Sequence, residues 1–327
     1  MQVTVYNLRA YDEKKHFEEV AEELGITLVT CPDAPTLDNA ILAKGSQCIN
    51  IITSEMTAEL LEKMAELGVG YVATRTIGYD HVDMAACKRL GLRVGNAPYG
   101  PNGVADYTVM LMLMCIRNAK RIIERTNIQD YTLKGLIGRE LKDMTVGVIG
   151  TGRIGKTVIQ NLSGFGCRII AYDVHESEDI KEFAAYVPLE QIWEQADIIT
   201  LHTPLTQENF HLINEENIAK MKDGVILINT ARGALIQSEA LIRGIESKKV
   251  GAAGLDVVEH EFELYYYDHR SDILNNRELA VLRGFPNVTV THHMAFYTDN
   301  CVKTVVVDSL KGCKRFMEGK DNPWEVV

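Results

Sequence analysis

Three kinds of residue in this chain stand at spacings that could do chemistry: a glycine-rich turn, a strand-end arginine, and strand-end histidines near carboxylates. The turn is Gly150-Thr-Gly152-Arg153-Ile154-Gly155, between the apolar run Thr145-Val-Gly-Val-Ile and the helical Lys156-Thr-Val-Ile-Gln-Asn-Leu. In that order Gly150 makes a tight turn, Gly152 lets a pyrophosphate approach the backbone, and Gly155 lets helix and strand pack closely. The N–H groups that open the helix, from Arg153 and Ile154 onward, then hold phosphates. The next strand, Arg168-Ile-Ile-Ala-Tyr-Asp173, ends in an acid 18 residues after Gly155. A carboxylate there accepts from ribose hydroxyls and repels a 2′-phosphate, so NAD is expected over NADP.

Beside a nicotinamide, reducing a keto acid needs a cation for the carboxylate and a proton donor poised near neutral pH. Ile226-Leu-Ile-Asn-Thr-Ala-Arg232-Gly233 ends a strand in an arginine, which meets a carboxylate with two parallel hydrogen bonds and keeps its charge. Val288-Thr-Val-Thr-His292-His293 ends another in two histidines, and strand alternation sends only one of them to the ligand side. Asp197-Ile-Ile-Thr-Leu-His202 ends a third, so spacing leaves His202, His292 and His293 all open. Gly254-Leu-Asp256 is followed by Glu259, Glu261 and Glu263. A carboxylate beside the histidine would hold its ring and favour the protonated form.

These residues need a scaffold, and the pattern supplies one. Over the first hundred residues, strands near 3–6, 26–29, 48–52, 69–73 and 92–95 alternate with helical spacing at 12–24, 36–44, 57–67 and 80–90. That is a parallel sheet covered on both faces. A long helix is expected from Val104 to about Arg125. A second series follows, with strands at 145–149, 168–173, 197–202, 224–229, 251–256 and 288–292, and helices near 153–165, 189–195, 214–221 and 237–248. Six parallel strands that start from a glycine-rich turn make a complete dinucleotide-binding domain. The helical tail, about 297–317, needs an apolar partner and is expected to pack back on the first domain. The expected boundaries are therefore 1–100 plus 297–327 for one discontinuous domain and 101–296 for the other.

At 327 residues the chain exceeds what one core usually serves, and 46% hydrophobic with 24% charged residues is ordinary for a globular protein. A formal net charge of −11 argues against nucleic acid or acidic membrane as a general partner. No apolar run reaches the roughly 18 residues of a membrane span. The N-terminus has no export signal, so a cytoplasmic location is expected. Seven scattered cysteines with no CxxC spacing suggest reduced thiols and no metal site.

With these segments in place, the chain resembles the D-isomer-specific 2-hydroxyacid dehydrogenase family over nearly its whole length. The D-lactate dehydrogenases, including the vancomycin-resistance type, are most alike in pattern. The match rests on Arg75-Thr-Ile-Gly-Tyr-Asp80, Ala97-Pro-Tyr99-Gly-Pro-Asn, Val104-Ala-Asp-Tyr107 and Leu141 to Gly150. It continues in Asn229-Thr-Ala-Arg-Gly233, Gly254-Leu-Asp256 and His293-Met-Ala-Phe-Tyr-Thr298.

The resemblance implies two doubly wound α/β domains, a flavodoxin-like substrate domain and a Rossmann NAD-binding domain, with the cleft between them. It implies that Arg232 binds the substrate carboxylate and carbonyl, that His293 is the acid/base and that Glu261 pairs with it. Asp256 would touch the nicotinamide amide, and Thr203, Pro204, Asn209, Thr230 and Ala231 would line the cofactor. Backbone N–H groups of Ile77 and Gly78 would hold the carboxylate, while Tyr99, Phe296 and Tyr297 shape the side-chain pocket. It also implies a homodimer through the NAD-binding domain. The expected reaction is pyruvate to D-lactate, with a branched or aromatic 2-keto acid as the alternative substrate. An NAD-sensing binding protein is the alternative of another class. His292 stands where the family usually has Pro, and Gly100 where relatives often have Ser.

Overall fold

The computed structural model describes residues 1–261 and 264–326, so Glu263 lies outside the described residues. The chain forms two compact units, Met1–Gly100 with Tyr297–Val327 and Pro101–Phe296.

In the first unit, β1 (Gln2–Val5), β2 (Thr27–Thr30), β3 (Cys48–Ile51), β4 (Tyr71–Thr74) and β5 (Arg93–Gly95) form a parallel sheet in the order β2-β1-β3-β4-β5. Every residue of β3 and β4 is buried, as expected of central parallel strands covered on both faces. The terminal helix Asp299–Met317 packs on the helix Lys14–Leu24 and on β3 and β4, and sets Val306, Leu310 and Cys313 in the same core as Val3, Phe17 and Tyr71. The helix expected at 36–44 is only a 3-10 turn, Ala40–Ala43.

A buried charge organises this unit. Arg75, fully enclosed, donates to Glu13 Oε1 (3.1 Å), Asn50 Oδ1 (2.6 Å) and the carbonyls of Tyr6 and Asn7 (3.1 Å each). Asn50 in turn donates to Ser309 Oγ of the terminal helix at 2.8 Å. Removing one partner of such a pair leaves an uncompensated charge, at a cost of about 3–5 kcal/mol.

The second unit carries β6 (Thr145–Ile149), β7 (Arg168–Tyr172), β8 (Ala185–Tyr186), β9 (Ile198–Leu201), β10 (Val225–Asn229), β11 (Val250–Leu255) and β12 (Val288–Val290). All pair parallel in the order β12-β11-β10-β9-β6-β7-β8. The order reverses beside β6, which places a ligand crevice at its carboxyl end.

Three expectations need correction here. The sheet has seven strands and not six, because β8 is a two-residue pairing too short to read as periodicity. The helix expected from 104 to 125 is two helices, Asn102–Ile116 and Ala119–Asn127, broken where Asn118 adopts a left-handed backbone (φ 53°). The helix Arg277–Gly284, capped by Asn276, was not expected at all.

Candidate active site

The glycine-rich turn is shaped by contact, position by position. Gly150 has φ +94°, and a Cβ there would lie 2.7 Å from the carbonyl carbon and oxygen of His202. A Cβ on Gly155 would meet Gly150 O at 1.9 Å, so helix and turn touch backbone to backbone. Gly152 caps the helix Arg153–Ser163 with no side-chain cap, and a Cβ there would meet nothing within 4 Å. An extended, open N-terminus of this kind suits a diphosphate.

Asp173 follows β7. Its Oδ2 accepts from Thr151 N (2.5 Å) and Thr151 Oγ1 (3.1 Å), and Oδ1 accepts from His175 N (2.9 Å). Partial burial opposes its charge, but these donors outweigh it and hold the carboxyl below its ordinary value. The turn, the open helix end and an ionised acid after β7 together fit NAD.

The other expected cofactor residues lie at the ends of β9 and β10. Asn209 folds the loop after β9, accepting from Thr206 N (2.7 Å) and donating to Pro204 O (2.6 Å) with Thr203 close by. Thr230 is buried and shares a hydroxyl hydrogen bond with Thr108 at 2.8 Å.

Arg232 sits on a loop clamped by Asn229, the last residue of β10. The Asn229 amide accepts from Ala231 N (3.0 Å) and donates to Arg232 O (2.8 Å). At Gly233 a Cβ would lie 2.1 Å from the carbonyl group of Val258, so this loop presses directly on the one after β11. Arg232 Nη1 donates to Ala231 O at 2.7 Å.

His293 is delivered by a turn and not by a strand. β12 ends at Val290, and His293 has a left-handed backbone, φ 56°. Strand alternation is therefore not what separates it from His292, which is exposed and sits edge-on to Tyr265. Asp256 holds the turn: its fully buried carboxylate accepts from Thr291 Oγ1 (2.6 Å), Met294 N (2.8 Å) and Ala295 N (2.9 Å), and its carbonyl accepts from His293 N (2.8 Å). These bonds let Asp256 set the histidine turn, and the contact with a nicotinamide amide that the resemblance implies for it stands as a proposal.

The His293 ring meets Glu261. Nδ1 stands 2.8 Å from Glu261 Oε1, while Oε2 accepts from Val258 N at 3.0 Å. A carboxylate can only accept, so Nδ1 carries the proton of that bond and Nε2 is left for a ligand. Tyr266 donates its hydroxyl to His293 O (3.0 Å), and Phe296 lies edge-on to the ring with centroids 6.2 Å apart. Glu259, two residues before Glu261, pairs elsewhere, with His211. His202 shares a hydrogen bond with Thr200 Oγ1 at 2.9 Å, and enclosure by protein pushes its pKa down to about 3, so its ring is neutral at neutral pH.

In the first unit, three carbonyls of the loop after β4 are tied inward. Thr76 O accepts from Ala97 N (3.0 Å), Ile77 O from Asn96 Nδ2 (2.8 Å) and Gly78 O from Thr76 Oγ1 (2.6 Å). Because a trans peptide is planar, each tie turns the following N–H the opposite way. The N–H groups of Ile77 and Gly78 thus point away from Ala97 and Asn96, a receptive edge for an anion. Tyr99 is half-buried on the next loop, and Tyr297 donates its hydroxyl to Asp12 at 2.7 Å beneath Arg9.

Sequence spacing does not single out Asn229, Thr291 or Tyr266 as site residues. Asn229 carried a readable signal, a carboxamide closing the apolar run Val225-Ile-Leu-Ile; the other two carried none. No helix among the described residues is long and apolar enough to cross a membrane.

Residues 109–295 match the family profile described as D-isomer specific 2-hydroxyacid dehydrogenase, NAD binding domain. The chain is 44% identical to an aromatic 2-oxoacid reductase of Clostridium sporogenes, over 97% of this chain and 96% of that protein. Among solved structures, a D-lactate dehydrogenase of Treponema pallidum superimposes with a TM-score of 0.89 at 31% identity, over the full length of both chains. A D-2-hydroxyisocaproate dehydrogenase does so with a TM-score of 0.89 at 34% identity, over 100% of this chain and 99% of that one.

Proposed function

The chain belongs to the D-isomer-specific 2-hydroxyacid dehydrogenase family and uses NAD to interconvert 2-keto and D-2-hydroxy acids; from that premise we propose that Arg232, Glu261 and His293 carry the reaction. The observation that carries this reading is the 2.8 Å pairing of His293 Nδ1 with Glu261. It commits Nε2 to the substrate and places a negative charge where an imidazolium is stabilised.

Arg232 takes the substrate carboxylate in a two-pronged contact, with the Ile77 and Gly78 N–H groups as further donors to it. NADH, when bound, supplies a hydride to the carbonyl carbon. His293 Nε2–H gives its proton to the carbonyl oxygen in the same event, and in the reverse direction the neutral ring takes the alcohol proton back. Glu261 holds the tautomer. The N–H groups of Arg153 and Ile154, with Gly150, Gly152 and Gly155, would hold the diphosphate, and Asp173 would take the ribose hydroxyls. Thr203, Pro204, Asn209, Thr230 and Ala231 wall the cofactor, and Tyr99, Phe296 and Tyr297 shape the substrate's side-chain pocket.

Pyruvate to D-lactate is the first reading for the substrate, supported by the likeness to a D-lactate dehydrogenase structure. An aromatic 2-keto acid is the second, favoured by the 44% identity to an aromatic 2-oxoacid reductase. Phe296, held edge-on by both Tyr266 and His293, is a fixed aromatic wall compatible with either. Loss of NADH absorbance with pyruvate, 4-methyl-2-oxopentanoate and phenylpyruvate, with chiral analysis of the product, ranks them. NADH binding without turnover on any of them would instead favour a NAD-sensing protein.

The proposal extends to a homodimer through the second unit. On that unit the helix Ala119–Asn127 has no buried residue and exposes Ile122 and Ile123, while Met110 and Phe165 are exposed beside an apolar groove that Val109 and Leu113 also line. Burying that surface against a second copy would take these exposed apolar side chains out of water. Sedimentation as a monomer at micromolar concentration would refute it. A cytoplasmic location, consistent with free cysteines throughout, completes the reading.

A further inference from the structure

The second unit contains another histidine–glutamate pair, outside the one assigned to the chemistry. His211 Nε2 stands 2.6 Å from Glu259 Oε1, and Glu259 Oε2 accepts from Ser238 N at 2.7 Å. The backbone at His211 is left-handed (φ 54°), its N–H donates to Ala234 O (2.9 Å), and the Phe210 ring stacks on its own with centroids 3.9 Å apart. Partial burial works against the charge on Glu259, but the donors from Ser238 and His211 outweigh it and leave the carboxyl below its ordinary value.

This pair ties three loops together. His211 ends the loop after β9 that carries Thr203, Pro204 and Asn209, and Leu212 N bonds back to Asn209 O at 3.0 Å. Ala234 follows Arg232 and Gly233 on the loop after β10. Glu259 lies between Val258, whose N–H is accepted by Glu261 Oε2, and Glu261 itself. The Gly233 contact on Val258 closes the triangle. Fixing Glu259 therefore fixes the short segment that aims Glu261 at His293.

We propose that His211 is a positioning residue for this reaction: through Glu259 it registers the cofactor loop and the Arg232 loop against the segment that presents Glu261 to His293. This rests on the assignment of His293 and Glu261 as the acid/base pair. A side chain that only stabilised the fold would change melting temperature without touching the proton donor. A positioning residue also changes how well Glu261 supports the protonated ring.

The test compares His211→Ala, His211→Gln, Glu261→Gln and His293→Ala in the full-length protein. It measures kcat and KM for keto-acid reduction, the pH at which kcat falls on the alkaline side, and Tm. His211→Ala should lower kcat on the order of tenfold, the scale of a small misplacement of catalytic groups, with KM changing less. Its alkaline fall should begin at lower pH, in the direction of Glu261→Gln. His211→Gln, which keeps a donor at the Nε2 position, should restore most of both. A lowered Tm with wild-type kcat and pH profile in His211→Ala overturns this proposal while leaving the acid/base assignment in place. Near-normal turnover in His293→Ala overturns the assignment and this proposal with it.

Discussion

His202 and His293 both stand just past the carboxyl end of a strand in the same parallel sheet, and what surrounds each makes them different groups. His202 directly follows β9, its ring meets a hydroxyl, and enclosure leaves it neutral down to about pH 3. Its backbone forms one wall of the Gly150 turn, so its place is structural. His293 sits in a left-handed turn held from below by Asp256, and its ring is anchored to a carboxylate at Nδ1. Both have the strand-end position, but only His293 has a charge partner and an Nε2 left over. The partner, more than the place in the sheet, makes a histidine a proton donor.

The sharpest way to break this contrast is to remove each ring in turn. His293→Ala should reduce turnover in both directions by about 10²–10⁴-fold, the usual worth of a positioned acid/base. His292→Ala, whose ring is exposed and outside the Asp256 and Glu261 network, should stay near wild type. If His292→Ala or His202→Ala proved the dead variant and His293→Ala did not, the contrast would be wrong.

Arg232→Lys comes next in size. Lysine keeps the charge and loses the planar fork, so kcat/KM for keto acid should drop on the order of 10²-fold while NADH affinity is nearly intact. Wild-type efficiency in the lysine variant would take Arg232 out of carboxylate recognition. A smaller effect is expected at the other end of the cofactor. Asp173→Ala removes the anion facing a 2′-phosphate, so the NADP/NAD ratio of kcat/KM should rise on the order of tenfold. An unmoved ratio would mean that the carboxylate, despite its three local donors, does not reach the ribose.

The differences in legibility have physical causes. The turn at 150–155 is legible because Gly150 and Gly155 answer steric demands that no other residue meets, and those demands reappear as the short contacts at both positions. Long buried strands such as β10 were legible from apolar runs, whereas β8, two residues on the sheet edge, leaves no period to find. The break at Asn118 was hidden because Asn is tolerated within a helix and only its positive φ ends one here. Pairing of Glu261 and not Glu259 with His293 depends on a backbone reversal at 258–261 that spacing cannot express. Alternation leaves His292 and His293 both open, and the turn at His293 does not obey it, so only the resemblance singles out His293. The clamps by Asn229 and Asp256 are long-range, and a buried polar residue shows its purpose only once its partners are in place.

The smallest expected effect tests the neutral half of the contrast, and it is read in stability. A histidine with an ordinary pKa near ~6.5 when unfolded and about 3 when folded binds its proton first in the unfolded state. Between those values the unfolded chain carries more protons, so stability falls as pH falls through this window and is unaffected by this group above it. His202→Gln can keep a contact to Thr200 but does not titrate. The wild type should therefore lose melting temperature more steeply than the variant between pH 7 and pH 5. The difference is bounded at about 2 kcal/mol, since one pKa unit corresponds to 1.36 kcal/mol and only about 1.5 units of the window are crossed. Other histidines titrate alike in both proteins, so the difference between the two curves isolates this ring. Parallel curves over that range would show that His202 accepts a proton in the folded protein as readily as in the unfolded chain, and would return it to the set of possible acids beside His293.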